Sequence, residues 1–359
     1  MIDIVFNKKE FEYDAYTLIK AFYPQEEVSI LYEGEEKTEA FQEKEEAFLV
    51  VKITYNKEDT RLEILKNKET VFEETIFLAS DDERKERKNK LKQALYRGLS
   101  KETKKVLPWG DLTGIRPTKI AMGLIESGMS NVETAEFMRN TYYTSNEKTA
   151  LAITIANRER ALLADIDYKN GYSLYVGIPF CPSICLYCSF SSYPLAKWRD
   201  KVDAYLDALC KELTYIGETM KVRTLDTIYI GGGTPTTLEP EQLERLLSHI
   251  ECCFPTREVK EYTIEAGRPD SITREKLEVI RKYPVTRISV NPQTMNQATL
   301  DLIGRRHTVE DTRHAFALAR ECGFDNINMD LIVGLPGECA KDVQKTLEEV
   351  KKMEPDSLT

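Results

Sequence analysis

The sequence predicts an α/β protein with two parts: a partial (β/α) barrel over residues 166–359, preceded by a smaller α+β domain over residues 1–165. Two observations predict the barrel. From Tyr172 onward, short apolar strands alternate with helical patterns, which is typical of a parallel sheet whose faces are covered by helices. In addition, every unusual sequence in this half follows the end of a predicted strand, where the loops of a (β/α) barrel meet on one face.

The first part has strands that precede helices, as in an α+β domain. The charged run DDERKERKNK is expected to begin a helix that leads to Leu99, and Pro117 lies near the first turn of a further helix. An amphipathic helix is predicted from Ser145 to Leu163, with Ser145 or Thr144 as its N-cap. The predicted strands of this part are IDIVF, VSILY, FLVVKITY, RLEIL and TVFEETIF.

Five strand–helix units are predicted in series in the second part, with strands SLYVGIPF, TIYIGGG, EYTIEAG, RISVNPQ and NINMDLIVGLPG. The helices are expected near residues 199–221, 239–253 and 273–281, in a stretch ending near 322, and at 340–353. Because no reversal interrupts the series, the pattern favours a barrel over an open doubly wound sheet. The last residues, EPDSLT, resemble the turn into a sixth strand, and we expect the barrel of this chain to be truncated there.

Composition limits the class of protein. With 359 residues, of which 42% are hydrophobic, the chain can bury the cores of two domains. Its net charge of −10 argues against a broad nucleic-acid-binding surface, which needs clustered Lys and Arg. No apolar run approaches the ~18 residues of a membrane span, and the N-terminus does not resemble a signal peptide. Because all eight cysteines follow residue 180, a disulfide-stapled secreted protein is not indicated, and we expect a cytoplasmic location.

Three of these cysteines, Cys181, Cys185 and Cys188, lie within eight residues at the end of the first barrel strand. Three thiolates at this spacing can bind three irons of a [4Fe–4S] cluster and leave the fourth iron open to a small molecule. Zinc is the alternative, since thiolates suit it too, but a zinc site normally has a fourth Cys or His nearby. None of the three histidines is close in sequence. The spacing therefore favours a cluster. The other five cysteines are expected to be small buried residues on helices or at their edges.

Polar residues at other strand ends are further candidates. Glu265 ends the third strand in an otherwise apolar run, and Asp330 lies in the fifth strand. A buried carboxylate without a partner is costly, which favours a functional role for both residues. Gly232, Gly233 and Thr234 belong to the run GGGTPT, where glycine lets the backbone approach a ligand closely, although such a run by itself usually marks a turn.

Together these motifs resemble those of the radical S-adenosyl-L-methionine (radical SAM) superfamily. Within it, they are most similar to the oxygen-independent coproporphyrinogen III oxidase family, which also includes haem chaperones. The segment PWGDLTGIRPTKIA, joined to this barrel, resembles the coproporphyrinogen dehydrogenase subgroup of Firmicutes. The resemblance implies a partial (β/α)6-type radical SAM barrel truncated at its sixth strand. The motifs are LYVGIPFCPSICLYC, IYIGGGTPT, EYTIEAGRPD, RISVNPQT, LIGRRHT and INMDLIVGLPGE.

The resemblance also implies two cofactors, a [4Fe–4S] cluster and SAM. Cys181, Cys185 and Cys188 would ligate the cluster, and SAM would bind its open iron. Glu265 would accept a hydrogen bond from the SAM amino group and is the residue to which we assign a catalytic role. Asp330 would bind the ribose hydroxyls, and Ile332, two residues further on, would share its face and pack on adenine. The other predicted SAM contacts are Tyr175 (otherwise a core tyrosine), Tyr187, Phe190, Gly232, Gly233, Thr234, Gln293 and Arg305.

The reaction implied is the oxidative decarboxylation of coproporphyrinogen III to protoporphyrinogen IX in haem biosynthesis, with a tetrapyrrole substrate and an external electron donor. We expect Arg268, after the third strand, to pair with a substrate carboxylate, the alternative being a solvated surface arginine. Two positions depart from many decarboxylases of the family, which have histidine in place of Gly177 and a further cysteine in place of Phe190. Because the chaperones have phenylalanine at the second position, the alternative is a haem-binding chaperone without decarboxylase activity. The sequence predicts no oligomeric state.

Overall fold

The computed structural model describes residues 1–34, 47–77, 83–114, 116–167 and 170–359. The first two residues of the charged run DDERKERKNK, and Ile115, lie outside the described residues. The chain divides into two compact units, Met1–Ala164 and Asp165–Thr359. None of the helices in the described ranges has the length and apolar character needed to cross a membrane.

The first unit contains a mixed sheet packed against helices. In chain order its elements are β1 (Ile2–Phe6), α1 (Glu12–Phe22), β2 (Val28–Tyr32), β3 (Leu49–Tyr55), β4 (Asp59–Lys66), β5 (Glu69–Phe77), α2 (Arg84–Thr103), α3 (Thr118–Glu126), α4 (Asn131–Tyr142) and α5 (Asn146–Leu162). The sheet order is β2-β1-β3-β4-β5. Strand β1 pairs in parallel with β2 and β3, whereas β3, β4 and β5 form an antiparallel meander. Alternate residues of these strands, such as Val51 and Ile64, pack with Leu18 and Leu95 of the helices in one core.

The second unit is a parallel sheet with helices between its strands. Its elements are β6 (Tyr172–Ile178), β7 (Phe180–Cys181), β8 (Tyr193–Pro194), α6 (Leu195–Trp198), α7 (Val202–Thr219), β9 (Leu225–Gly232), α8 (Pro240–Cys253), β10 (Glu261–Glu265), α9 (Arg274–Arg281), β11 (Arg287–Ser289), α10 (Gln297–Leu302), α11 (Val309–Glu321), β12 (Ile327–Met329), α12 (Ala340–Met353) and β13 (Ser357–Leu358). The sheet order β6-β9-β10-β11-β12-β13 follows the chain, and every pair is parallel. This sequential order confirms the predicted α/β fold, and EPDSLT supplies the sixth strand, which pairs with β12.

The alternation of side chains along the strands positions the site. Ile228 and Ile230 of β9 and Ile264 of β10 lie in the buried core of the second unit. Because successive residues of a strand point to opposite faces, Tyr229 and Glu265 share the other face. The same register that buries the core residues therefore presents polar side chains at the carboxyl ends of the strands.

Candidate cofactor site

The loops at the carboxyl ends of the strands surround a cavity of about 140 Å³. It is lined by the cysteine segment after β6 and by residues at or just beyond the carboxyl ends of β9, β10, β11 and β12. Thus residues far apart in sequence are gathered at one end of the sheet, as in other (β/α) barrels. The predicted site residues that line it are Cys181, Cys185, Tyr187, Cys188, Phe190, Gly232, Gly233, Thr234, Glu265, Gln293, Arg305 and Asp330.

Two predicted residues are not in this lining. Ile332 packs instead against an apolar cluster formed by Leu300, Ile303 and Leu335. Strand β12 ends at Met329, and the expected contact between Ile332 and adenine stays a prediction.

Tyr175 is 61% exposed, and its ring stacks on that of Tyr229 with centroids 5.9 Å apart. It is therefore not the buried core tyrosine that was the alternative. Its assignment to SAM stays a prediction. Tyr175 does not line the cavity, but it stacks on Tyr229, whose hydroxyl donates to the cavity residue Glu265.

The sulfur atom of each motif cysteine lies near a polar side chain of another residue. Cys181 is buried, and its Sγ lies 3.5 Å from Oγ1 of Thr234. Burial raises the pKa of the Cys181 thiol. Sγ of Cys188 lies 3.8 Å from Oγ of Ser192. In the described ranges, no three His, Cys, Asp or Glu side chains are grouped closely enough to hold a metal ion. Three free cysteines lining one cavity fit a cluster, in which each thiolate binds a different iron.

The second cysteine of the motif, Cys185, contacts Arg268. The contacts of this arginine correct the role expected for it. Arg268 is only 3% exposed, and it donates from Nε and Nη2 to the two carboxylate oxygens of Asp270, at 3.1 Å each. Its Nη2 also donates to Oγ of Ser183 at 3.2 Å. A guanidinium whose fork already holds a carboxylate of the protein is not available to a substrate carboxylate. Arg268 instead positions the cysteine loop.

The glycine run approaches protein backbone closely. Gly232 has a φ of +105°, a conformation that glycine adopts without steric cost. A Cβ on Gly233 would lie 2.7 Å from the carbonyl oxygen of Phe180. The Gly233 N–H donates to the Ile178 carbonyl at 2.7 Å, and Thr234 N–H donates to Phe180 at 2.8 Å. The glycines therefore let this loop pair with the segment that leads into the cysteine motif, in addition to lining the cavity.

Glu265 is the half-buried carboxylate on the central strand. It accepts a hydrogen bond from the Tyr229 hydroxyl. Burial and, to a lesser extent, the nearby charge of Asp330 raise the pKa of Glu265, although the hydrogen bond from Tyr229 acts in the opposite direction. A carboxylate in this environment is stabilised by a cationic or hydrogen-bond-donating ligand, since either would compensate the lost hydration.

A hydrogen-bond network joins the segments that follow β11 and β12. Gln293 has a φ of +67°, which is unusual for a non-glycine residue, and its N–H donates to the Asp330 carbonyl at 3.0 Å. Asp330 accepts a hydrogen bond at 2.7 Å from Nδ2 of Asn328. The buried Arg305 donates to the carbonyl of Asn291, which also lines the cavity. Such backbone and side-chain contacts hold the polar side chains in place before a ligand binds.

Sequence reasoning missed Tyr229 and Asn291. Tyr229 stands between two core isoleucines in IYIGGG, so its position on the opposite face from them could have identified it. The expectation that the remaining five cysteines are buried is wrong: Cys252 and Cys339 are exposed, and Cys210, Cys253 and Cys322 are partly exposed.

Comparisons with known proteins show the family to which this chain is related. The radical SAM superfamily profile matches residues 175–350. The oxygen-independent coproporphyrinogen-III oxidase-like protein HemZ of Bacillus subtilis (strain 168) is 38% identical over 345 residues, which are 93% of this chain and 67% of that protein. The heme chaperone HemW of the same strain is 40% identical over 176 residues, 49% of this chain and 46% of HemW.

A third relative is the oxygen-independent coproporphyrinogen III oxidase of Escherichia coli (strain K12), 34% identical over 190 residues, which are 52% of this chain and 40% of the enzyme. The chain thus spans about two thirds of the first relative and less than half of the other two. The similarity to the first relative extends through both units, whereas the other two match about half of the chain. The chain belongs to the radical SAM superfamily, whose cofactors are a [4Fe–4S] cluster and SAM, and within it to the family of oxygen-independent coproporphyrinogen-III oxidases and their relatives.

Proposed function

We propose that this chain is a radical SAM oxidoreductase that decarboxylates coproporphyrinogen III to protoporphyrinogen IX. The observation that carries the proposal is the 38% identity to an oxygen-independent coproporphyrinogen-III oxidase-like protein over 93% of the chain. The cavity at the carboxyl ends of the strands supports it, because three cysteines and several polar side chains line the same space.

In this proposal Cys181, Cys185 and Cys188 hold the cluster. When bound, the cluster and SAM supply a carbon-centred radical that can remove a hydrogen atom from an unactivated carbon. Glu265 accepts hydrogen bonds from the SAM amino group, and Asp330 accepts them from the ribose hydroxyls. The other cavity residues named above pack around SAM, and the buried core beneath them keeps bulk water away from that side of the site.

The proposed reaction converts two propionate side chains of the substrate into vinyl groups. Each propionate loses one hydrogen atom, one CO2 and one electron, so the reaction needs an external electron acceptor, and formation of the radical needs an external electron donor. We also propose that the protein works in the cytoplasm, as the distribution of its cysteines predicts.

Anaerobic turnover tests the proposal. The full chain, reconstituted with iron and sulfide, is supplied with SAM, a reductant and coproporphyrinogen III. We expect 5′-deoxyadenosine and a vinyl product, and Cys185→Ser should abolish the formation of both. The matched variant Cys322→Ser, at the cysteine that follows α11, should still form both products. Formation of 5′-deoxyadenosine without vinyl product would refute the substrate while leaving the radical chemistry in place.

A haem chaperone is the second candidate. Phe190, 74% exposed at the edge of the cavity, stands where family chaperones have phenylalanine, and HemW of Bacillus subtilis is 40% identical over 176 residues. Stoichiometric haem binding, without 5′-deoxyadenosine formation that depends on coproporphyrinogen, would favour this function over the decarboxylase.

A further inference from the structure

The first unit has a cavity of its own, with a volume of about 920 Å³. Its walls come from α1, α2, α3 and α4 and from the turn-rich segment that precedes α3. That segment is the motif PWGDLTGIRPTKIA, which the proposed radical chemistry does not use. A volume of this size is within the range of small-molecule sites, which is roughly 300–1,000 Å³.

Positive charge is concentrated around this cavity. Lys85, Lys88 and Lys92 lie on one face of α2 because they are spaced three and four residues apart. Arg116 and Lys119 contribute from the segment before α3 and from α3 itself. Among the described residues of the lining, five basic side chains thus accompany two acidic ones, Asp14 and Asp111, in a chain whose net charge is −10. The cavity is therefore a local positive site on an acidic protein.

Two charged residues of the lining are buried. Lys92 is 7% exposed and donates from Nζ to Oγ1 of Thr113 at 3.1 Å. Asp111 is 1% exposed, and its Oδ1 has no hydrogen-bond partner among the residues that the structure describes. Burial lowers the pKa of Lys92 and raises that of Asp111 to about 7. A buried polar atom without a partner is unfavourable, so a ligand that hydrogen-bonds to Asp111 would stabilise this arrangement.

The lining also has an apolar part. Leu112, Ile120, Leu124 and Phe137 line the same cavity as the basic residues. Side chains of this kind pack against an apolar or aromatic body, while the cations hold charged substituents. Neither a simple inorganic anion nor a neutral hydrophobic molecule would use both parts of the lining.

We propose that this cavity in the first unit binds a small amphipathic polyanion, a molecule with an apolar or aromatic body and at least two carboxylate or phosphate groups. Lys85, Lys88, Arg116 and Lys119 pair with the anionic groups. Lys88 also has a long ion pair with Asp14, at 3.8 Å, which a single-point lysine can share or exchange. Lys92 and Asp111 supply a buried donor and a buried acceptor that orient the ligand. A tetrapyrrole carboxylate and a nucleotide share this chemistry, and the experiment below distinguishes the two sources.

The test is an equilibrium titration of the full chain with coproporphyrin III and, separately, with ATP, at low and at high ionic strength. We expect one of the two probes to bind, and its affinity to fall at high ionic strength because salt screens the charges. Lys88→Glu should weaken that binding by about tenfold or more, since a hydrogen bond to a charged group contributes on that scale. Lys101→Glu is the matched control, because Lys101 is an exposed lysine of the same helix that does not line the cavity.

A steric variant separates the cavity from general surface charge. Gly123 lines the cavity from α3, and a Cβ added there would meet no atom of the described residues within 4 Å, so Gly123→Leu should fill the space without disturbing the fold. Thermal melting checks the folding of each variant. The proposal is supported if Lys88→Glu and Gly123→Leu both weaken the probe that binds while Lys101→Glu does not. It is overturned if neither probe binds, or if both cavity variants bind as the wild type does. The readout is binding and not turnover, so the result is independent of the reaction at the cysteine motif.

Discussion

Arg268 contacts Cys185: Nη1 of the buried arginine lies 3.6 Å from Sγ of the cysteine. The two residues come from different strand-end loops, after β10 and after β6, so the contact ties the cysteine segment to the centre of the sheet. Because Asp270 holds the same guanidinium through two hydrogen bonds, the arginine is fixed in orientation before any cofactor binds.

Arg268→Gln is therefore expected to weaken cluster binding. Loss of the donor to Cys185 leaves the loop less ordered, and removal of a residue that orients metal ligands typically costs about 10–100-fold in metal affinity. Iron content and visible absorbance after anaerobic reconstitution measure the effect. Arg274→Gln, at an exposed arginine of α9, is the matched control. Equal iron content in wild type and Arg268→Gln would contradict the positioning role.

Gly233→Ala should destabilise the second unit. The added Cβ would meet the Phe180 carbonyl oxygen at 2.7 Å and that of Ile178 at 2.9 Å, so the loop or the strand must move. Overpacking of this kind costs about 1–3 kcal/mol in the free energy of unfolding. Gly177→Ala is the comparison, because among the described residues its Cβ would meet only the Tyr175 ring, at 3.5 Å. Denaturant unfolding of both variants measures the difference, and equal stabilities would show that the close approach is unimportant.

Glu265→Gln is expected to lower SAM affinity while leaving the iron content unchanged. Replacement of the carboxylate removes a charge-assisted hydrogen bond, a loss that corresponds to about 10–100-fold in the dissociation constant. Equilibrium dialysis of the reconstituted protein with labelled SAM measures it. Tyr229→Phe, which removes the hydroxyl that donates to Glu265, should have a smaller effect in the same direction. Unchanged SAM binding in Glu265→Gln would remove this residue from the proposed site.

Asp111 gives a pH-dependent prediction. Burial raises its pKa from 3.8 to about 7, so between these values the folded chain retains a proton that the unfolded chain has lost. Folding stability from this group therefore falls as the pH rises through this window, by at most about 1.4 kcal/mol per pH unit. Asp111→Asn removes the dependence, so the melting temperature of the variant relative to wild type should be higher at pH 8 than at pH 5.

The matched substitution for that experiment is Asp200→Asn, at an exposed position of the second unit. It should melt with the same pH dependence as the wild type. A difference between Asp111→Asn and wild type that does not change from pH 5 to pH 8 would contradict the raised pKa.

The local features of this protein were predictable from the sequence because they depend on neighbouring residues. Helix α8 was expected at residues 239–253 and runs from Pro240 to Cys253, with Glu239 as its N-cap. Ser145 caps α5, as predicted, by accepting a hydrogen bond from the Lys148 N–H. The spacing of the three cysteines and the position of unusual residues at strand ends indicated the cofactor site for the same reason, since the strand order follows the chain.

The roles of individual side chains required the tertiary structure. Sequence periodicity assigns a residue to a face but does not identify its partners, such as the apolar cluster against which Ile332 packs. Arg268 appeared free for a substrate, yet Asp270 and the cysteine loop occupy its guanidinium. The basic residues of α2 and of the segment before α3 were separate charges in the sequence. Folding brings them around one cavity, because contacts between distant segments depend on the packing of whole elements rather than on local pattern.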